Sequence, residues 1–173
     1  MLFYHPAFDI YHSAFRILRI LDSSPKHVFE IERLRIFDFY LLFPSQISKF
    51  RFPITLLRQK RQFQNENPYQ QIQDPKRIFF RLEPYQICAL KSLAARQFID
   101  ASLFLERKIS RTEKALPDGL NEALQKANKA SPTIIEFLMN SLLSLDLYGK
   151  SGLKGRSDLF EYRYDITNAT TGA

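Results

Sequence analysis

The sequence predicts a mainly α-helical protein: an N-terminal helical hairpin lobe, followed by a C-terminal winged-helix-like lobe that ends in a β-hairpin. Three observations predict it. Apolar residues recur at steps of three and four over most of the chain, as in Phe8, Tyr11, Phe15 and Leu18, the spacing of one buried helical face. Prolines stand where helices begin or stop. Only near the end does the period fall to two, where Phe160, Tyr162, Tyr164 and Ile166 alternate with Glu161, Arg163 and Asp165, the rhythm of a strand with one wet face.

Pro6 fits the first turn of a first helix that ends near Ser23-Ser24-Pro25. A second helix starts near His27 or Val28 and is stopped by Pro44, because proline lacks the amide and clashes with the preceding turn. This helix is apolar for most of its length, yet carries Glu32, Arg35 and Asp38 three residues apart, so the charges form one stripe. Acid, base and acid in that arrangement are expected to make ion pairs between helices or across an interface. A short connection between the two helices makes an antiparallel hairpin.

Beyond it, Pro53 prevents a long helix, and the alternation Lys49-Phe50-Arg51-Phe52 allows a short extended piece. Residues 58–76 turn polar and rich in glutamine and asparagine, the composition of an exposed connection. Glu83-Pro84 is expected to open a third helix running to about Ser110, with Ile87, Leu90, Leu93 and Phe98 on its buried face. A modest amphipathic helix covers 118–129, and Ser131-Pro132 starts another over 132–145. Three glycines between Asp146 and Asp158 are enough to turn a hairpin between a strand near Leu147-Tyr148 and one from Leu159. The resulting divisions are 1–57 for the N-terminal lobe, 58–81 for the connecting segment, 82–169 for the winged-helix-like lobe and 170–173 for a tail.

A chain of 173 residues can bury a core without disulfides or metals. The single cysteine, Cys88, reads as a buried, reduced thiol. The first residues lack the basic start and apolar run of a signal peptide, and no window is apolar enough to span a membrane, so the expectation is a cytoplasmic protein. Of 16 phenylalanines, 12 fall in the first 80 residues, more apolar surface than so short a segment buries alone.

The net charge of +7 is localised. Partial sums over residues 1–48, 49–81 and 82–173 are 0, +6 and +1, and a confined basic patch is a footprint for polyanions or an acidic partner surface. Lys49, Arg51, Arg58, Lys60, Arg61, Lys76, Arg77 and Arg81 carry it, interleaved with phenylalanines suited to stacking or packing. They are candidates for contact with DNA or an acidic partner. Lys150, Lys154 and Arg156, in the expected wing, are candidates for phosphate contact. The helix that a winged helix normally sets in the major groove has Glu136 and no lysine or arginine, leaving Asn140, Ser141 and Ser144 as weak candidates for base contact. A DNA-binding transcriptional regulator is therefore the alternative function rather than the favoured one.

His5, Asp9 and His12 share a helical face, but three candidate ligands without a fourth or a known spacing are weak evidence for metal. No glycine-rich phosphate loop, serine elbow or zinc signature accompanies the charged stripe, so the chain is expected to be non-catalytic, without metal, cofactor or small-molecule substrate.

The segment Phe3-Tyr4-His5-Pro6-Ala7-Phe8-Asp9-Ile10-Tyr11-His12, followed by residues 29–44 from Phe29-Glu30-Ile31-Glu32 to Leu42-Phe43-Pro44, resembles the middle component of bacterial ABC-three-component systems. That group includes the small accessory subunit of Lamassu-type antiphage defence. The resemblance implies a non-catalytic subunit that bridges an SMC-like ATPase and a nuclease-type effector, regulates effector release when foreign DNA is sensed, and meets DNA through the complex.

Overall fold

The computed structural model describes residues 6–64 and 72–160, and it is mainly helical. A 3-10 turn, Pro6–Phe8, leads into helix α1, Ile10–Ser23. Asp9 caps α1: its carboxylate accepts the His12 amide at 2.9 Å, which satisfies one of the amides a helix start leaves open.

The second helix begins later than its sequence implies. Phe29–Glu30 form a strand, β1, and α2 occupies Ile31–Leu42. β1 pairs antiparallel with β2, Lys108–Ile109, with Phe29 opposite Ile109 and Glu30 opposite Lys108. The Ile31 amide also donates to the Arg107 carbonyl at 3.1 Å, so the strand pairing captures the start of α2.

The expected helix from Glu83 to Ser110 instead both starts and stops earlier. Helix α3 runs Pro75–Ala95, opened by Asp74, which accepts the Arg77 amide at 3.0 Å, and by Pro75 in the first turn. Pro84 sits inside it. Proline cannot donate to the carbonyl four residues back, but Pro84 is exposed, and a carbonyl open to solvent does not carry the cost of a buried unpaired one. α3 stops because Gln97 adopts φ 63°: its amide donates to Ala94 and the Phe98 amide to Leu93, each at 2.9 Å. That is a Schellman closure, with no glycine to advertise it. The apolar spacing beyond Ala95 belongs instead to helix α4, Ala101–Leu105, capped by Asp100, and to β2.

Between α2 and α3 the chain forms 3-10 helices at Pro44–Lys49 and Ile54–Phe63. Residues 50–53 are not a strand, and the second 3-10 helix extends into what reads as linker. Helix α5, Asp118–Ala130, and helix α6, Pro132–Phe137, stand where expected, α6 continuing as a π-helical turn over Leu138–Leu142.

Leu147-Tyr148 form bends rather than the hairpin's first strand, and a short helix, α7 at Leu153–Ser157, takes the place of its turn. The glycines serve close packing here. A Cβ at Gly152 would stand 2.0 Å from the Tyr148 carbonyl oxygen, and one at Gly155 2.7 Å from the Gly149 and Lys150 carbonyl oxygens. Residues 161–166 of the expected second strand, 65–71 of the connection and the tail 170–173 lie outside the described residues.

A single hydrophobic cluster extends from Ala7 to Leu159. The phenylalanine-rich N-terminal part is covered from within the chain: Phe39 meets Phe79 of α3 edge-on at 5.8 Å, and Phe52 and Phe63 both pack on Phe137 of α6. Cys88 is exposed, contrary to its expected burial, because the phase of α3 turns Gln86, Ala89 and Leu93 inward.

Candidate functional site

Glu32, Arg35 and Asp38 each reach a different element. Asp38 is wholly buried on α2, and Arg16 of α1 donates to it twice, Nε to Oδ1 at 2.6 Å and Nη2 to Oδ2 at 3.2 Å. Gln86 of α3 donates to the same carboxylate at 2.8 Å and accepts Arg35 Nε at 2.9 Å. Arg35 Nη2 lies 3.2 Å from Glu83 Oε2 without hydrogen-bond alignment, so that contact is ionic. Burial pulls the Arg35 guanidinium below its usual range, while the Glu83 and Glu32 carboxylates oppose the shift. Glu32 pairs with Arg107, beside β2, at 2.6 Å.

Charge-assisted bonds of this kind brace three helices against one another at fixed rotation. Sequence reading missed their partners Arg16, Gln86 and Arg107, and also Arg33, which donates to the Leu145 carbonyl at 2.8 Å and to Leu142 and Leu143 at 3.3 Å. A cation there satisfies carbonyls left open at a helix end. The available signal was a charged residue inside an otherwise apolar helical face, as at Arg16.

The basic segment divides into three. Arg51 and Lys76 converge on Asp158, at 3.4 and 3.3 Å from its Oδ1, and Arg51 also donates to the Gly155 carbonyl at 2.8 Å. The wing candidate Arg156 joins them, donating to the Arg51 carbonyl at 2.8 Å. Lys49 and Lys76 line a cavity of about 220 Å³ beside Asp158 and buried Gln46. Lys154 is not a wing cation: it is buried, 4.6 Å over the Phe160 ring and 5.0 Å over that of Tyr148. Lys150 remains exposed.

Arg58, Lys60 and Arg61 form the second group, on the 3-10 helix Ile54–Phe63. This helix is pinned at Phe63 against Phe137 and at Gln59, which accepts the Ser141 hydroxyl at 2.7 Å. Its outer side shows Arg58 and Arg61 with apolar Ile54, 88% exposed, and Leu57, 49% exposed. Arg77 and Arg81 are the third group, on the outer side of α3, with Arg81 4.7 Å over the Phe8 ring.

Of the base-contact candidates, Ser141 is buried on Gln59, Ser144 donates to the Ser141 carbonyl and Asn140 is exposed. Of the metal candidates, Asp9 is the α1 cap and His5 lies outside the described residues, among which no cluster suited to a metal occurs. No described helix is long and apolar enough to cross a membrane.

The fold and these sites define a small, mainly helical protein, cross-braced by buried ion pairs and carrying an exposed element both basic and apolar. The chain belongs to the family described as ABC-three component (ABC-3C) system middle component 5, whose model matches residues 2–165. No curated protein and no solved structure matches it.

Proposed function

We propose that this middle component is a non-catalytic accessory subunit, working in the cytosol, which bridges an SMC-like ATPase and a nuclease-type effector in a Lamassu-type defence complex and restrains the effector until DNA is sensed. The observation that carries the reading is the 3-10 helix Ile54–Phe63. It holds Arg58, Lys60 and Arg61 beside exposed Ile54 and Leu57 on a segment fixed to the core at both Gln59 and Phe63. A rigid basic and apolar surface suits an acidic protein partner or a nucleic-acid backbone, and it offers no set of reading groups for a base sequence. Family membership supports a role beside other components.

The alternative, a sequence-specific DNA-binding regulator, draws less support. Helix α6 and its π-turn present no lysine or arginine, and Ser141 is engaged within the protein.

The test is effector nuclease activity in the reconstituted system, with and without this chain and with and without double-stranded DNA. The proposal expects the chain to lower effector activity and DNA to restore it. Equal activity in all four mixtures contradicts it.

A further inference from the structure

We infer that the groove between α1, the C-terminal end of α3 and the start of α5 receives an amphipathic helix from another subunit of the same system, with a carboxylate of that helix paired to Arg96. The inference rests on the reading of this chain as an assembly subunit and names the surface that assembly uses.

The groove encloses about 520 Å³, and its floor is apolar: Phe15, Leu18, Leu93, Phe98 and Leu120, with Tyr11 at the edge. Tyr11 is 82% exposed. Tyr11, Phe15 and Leu18 stand at i, i+4 and i+7 on α1, a row of about 10 Å along the helix axis, which is two turns of a helix laid beside it. An amphipathic helix fills such a row with anchors at the same spacing, and tyrosine and arginine, once covered by a partner, are among the side chains that most often carry interface energy.

Charge selects the occupant. Arg16, Arg33, Arg35, Arg51, Arg107 and Arg111 each pair with a carboxylate of the chain. Arg96 is exposed. Like Arg19, Arg58, Arg61, Arg77, Arg81 and Arg156 it has no such partner among the described residues, but of these it is the one that lines the groove. The outer side of α3 leading to it shows Arg77, Arg81 and Lys91, while the only acid of that helix, Glu83, faces Arg35. On α5, Asp118 and Glu122 each lie two residues from Leu120, roughly 200° around the helix and away from the groove. A helix with an acidic flank is therefore complementary, and a basic one is repelled.

The experiment uses the full-length chain co-expressed with the other components encoded beside it. Arg96→Glu and Phe15→Glu are compared with wild type for recovery of the other subunits at equal bait, and p-benzoylphenylalanine at position 11 is photo-crosslinked within the purified wild-type assembly. At least a tenfold loss of recovered subunit is expected for both variants, with crosslinks at position 11 in a helical segment of another subunit bearing Asp or Glu within one turn. Should Phe15→Glu fail to fold by circular dichroism, the exposed Arg96→Glu variant and the crosslink decide. Recovery equal to wild type, or crosslinks to a second copy of this chain, overturns the groove assignment. Failure of the wild-type chain to recover any co-encoded subunit instead defeats the functional reading on which it rests.

Discussion

Asp38 is the residue on which the packing of α1, α2 and α3 turns, because a fully buried carboxylate is held by Arg16 and Gln86 together. Removing one member of a buried pair leaves the other charge without its counter-charge, at a cost of about 3–5 kcal/mol. Asp38→Ala is thus expected to lower unfolding stability by about that much in urea titrations, and replacing Arg16 and Asp38 together with apolar residues is expected to cost less than the single change. His27 supplies a pH-dependent term. Burial, then the Arg33 charge, lowers its pKa from the ordinary 6.5, with Glu30 opposing. The unfolded chain therefore binds the proton more readily, so the contribution is full above pH 6.5 and is lost as pH falls below it through the folded value. His27→Gln is expected to flatten the melting temperature against pH between 7 and 5 relative to wild type; parallel profiles would refute this. At this scale the sequence made the stripe of Glu32, Arg35 and Asp38 legible but not its partners, which lie 75, 51 and 22 residues away. Spacing along one helix carries no information about which distant side chain packs against it.

A proline or polar start was legible where amphipathic spacing followed it, but the Asp74-Pro75 start of α3, next to the glutamine-rich stretch, and the Asp100 cap of α4 were not. α5 and α6 follow their proline and polar signals, whereas α3 hides its stop at Gln97, whose positive φ is unfavourable for any residue with a Cβ. Glycine removes that strain at the same backbone position, so Gln97→Gly is expected to raise stability by about 1 kcal/mol; a decrease measured in the same denaturation assay would show that the Gln97 side chain matters more than its backbone. The β1–β2 pair explains the late start of α2 and the strand at Lys108–Ile109 where helix was expected. Two-residue strands are too short to show a period, and their pairing is a tertiary event that overrides the local helical spacing of Phe29–Glu30 and Lys108–Ile109. Near the C-terminus, three glycines read as turn formers, but two of them are required by the close approach of α7 to the backbone of 148–150.

Across the whole molecule, the concentration of positive charge in residues 49–81 was visible from the sequence, but its division among Asp158, the 3-10 helix and the outside of α3 depends on folding. Only the 3-10 helix group combines three cations with exposed Ile54 and Leu57. Arg58→Glu, Lys60→Glu and Arg61→Glu combined are expected to leave the helical spectrum unchanged and to weaken DNA retention by the assembled complex at low salt, if DNA is the ligand of this surface. Removing a cation from one phosphate lowers the salt slope of binding by about 0.9 for duplex DNA, so an unchanged slope would assign the surface to an acidic protein instead. The resemblance was drawn from two contiguous segments, residues 3–12 and 29–44, and the family match, over residues 2–165, bears out a middle component of ABC-three-component systems. The central claim is that the chain acts as a subunit of an assembly. Its most direct test is the mass, by size-exclusion chromatography with light scattering, of this protein mixed with the SMC-like ATPase proposed as its partner. The account predicts one peak containing both chains, at a mass above either alone; two peaks eluting as the separate proteins would contradict it.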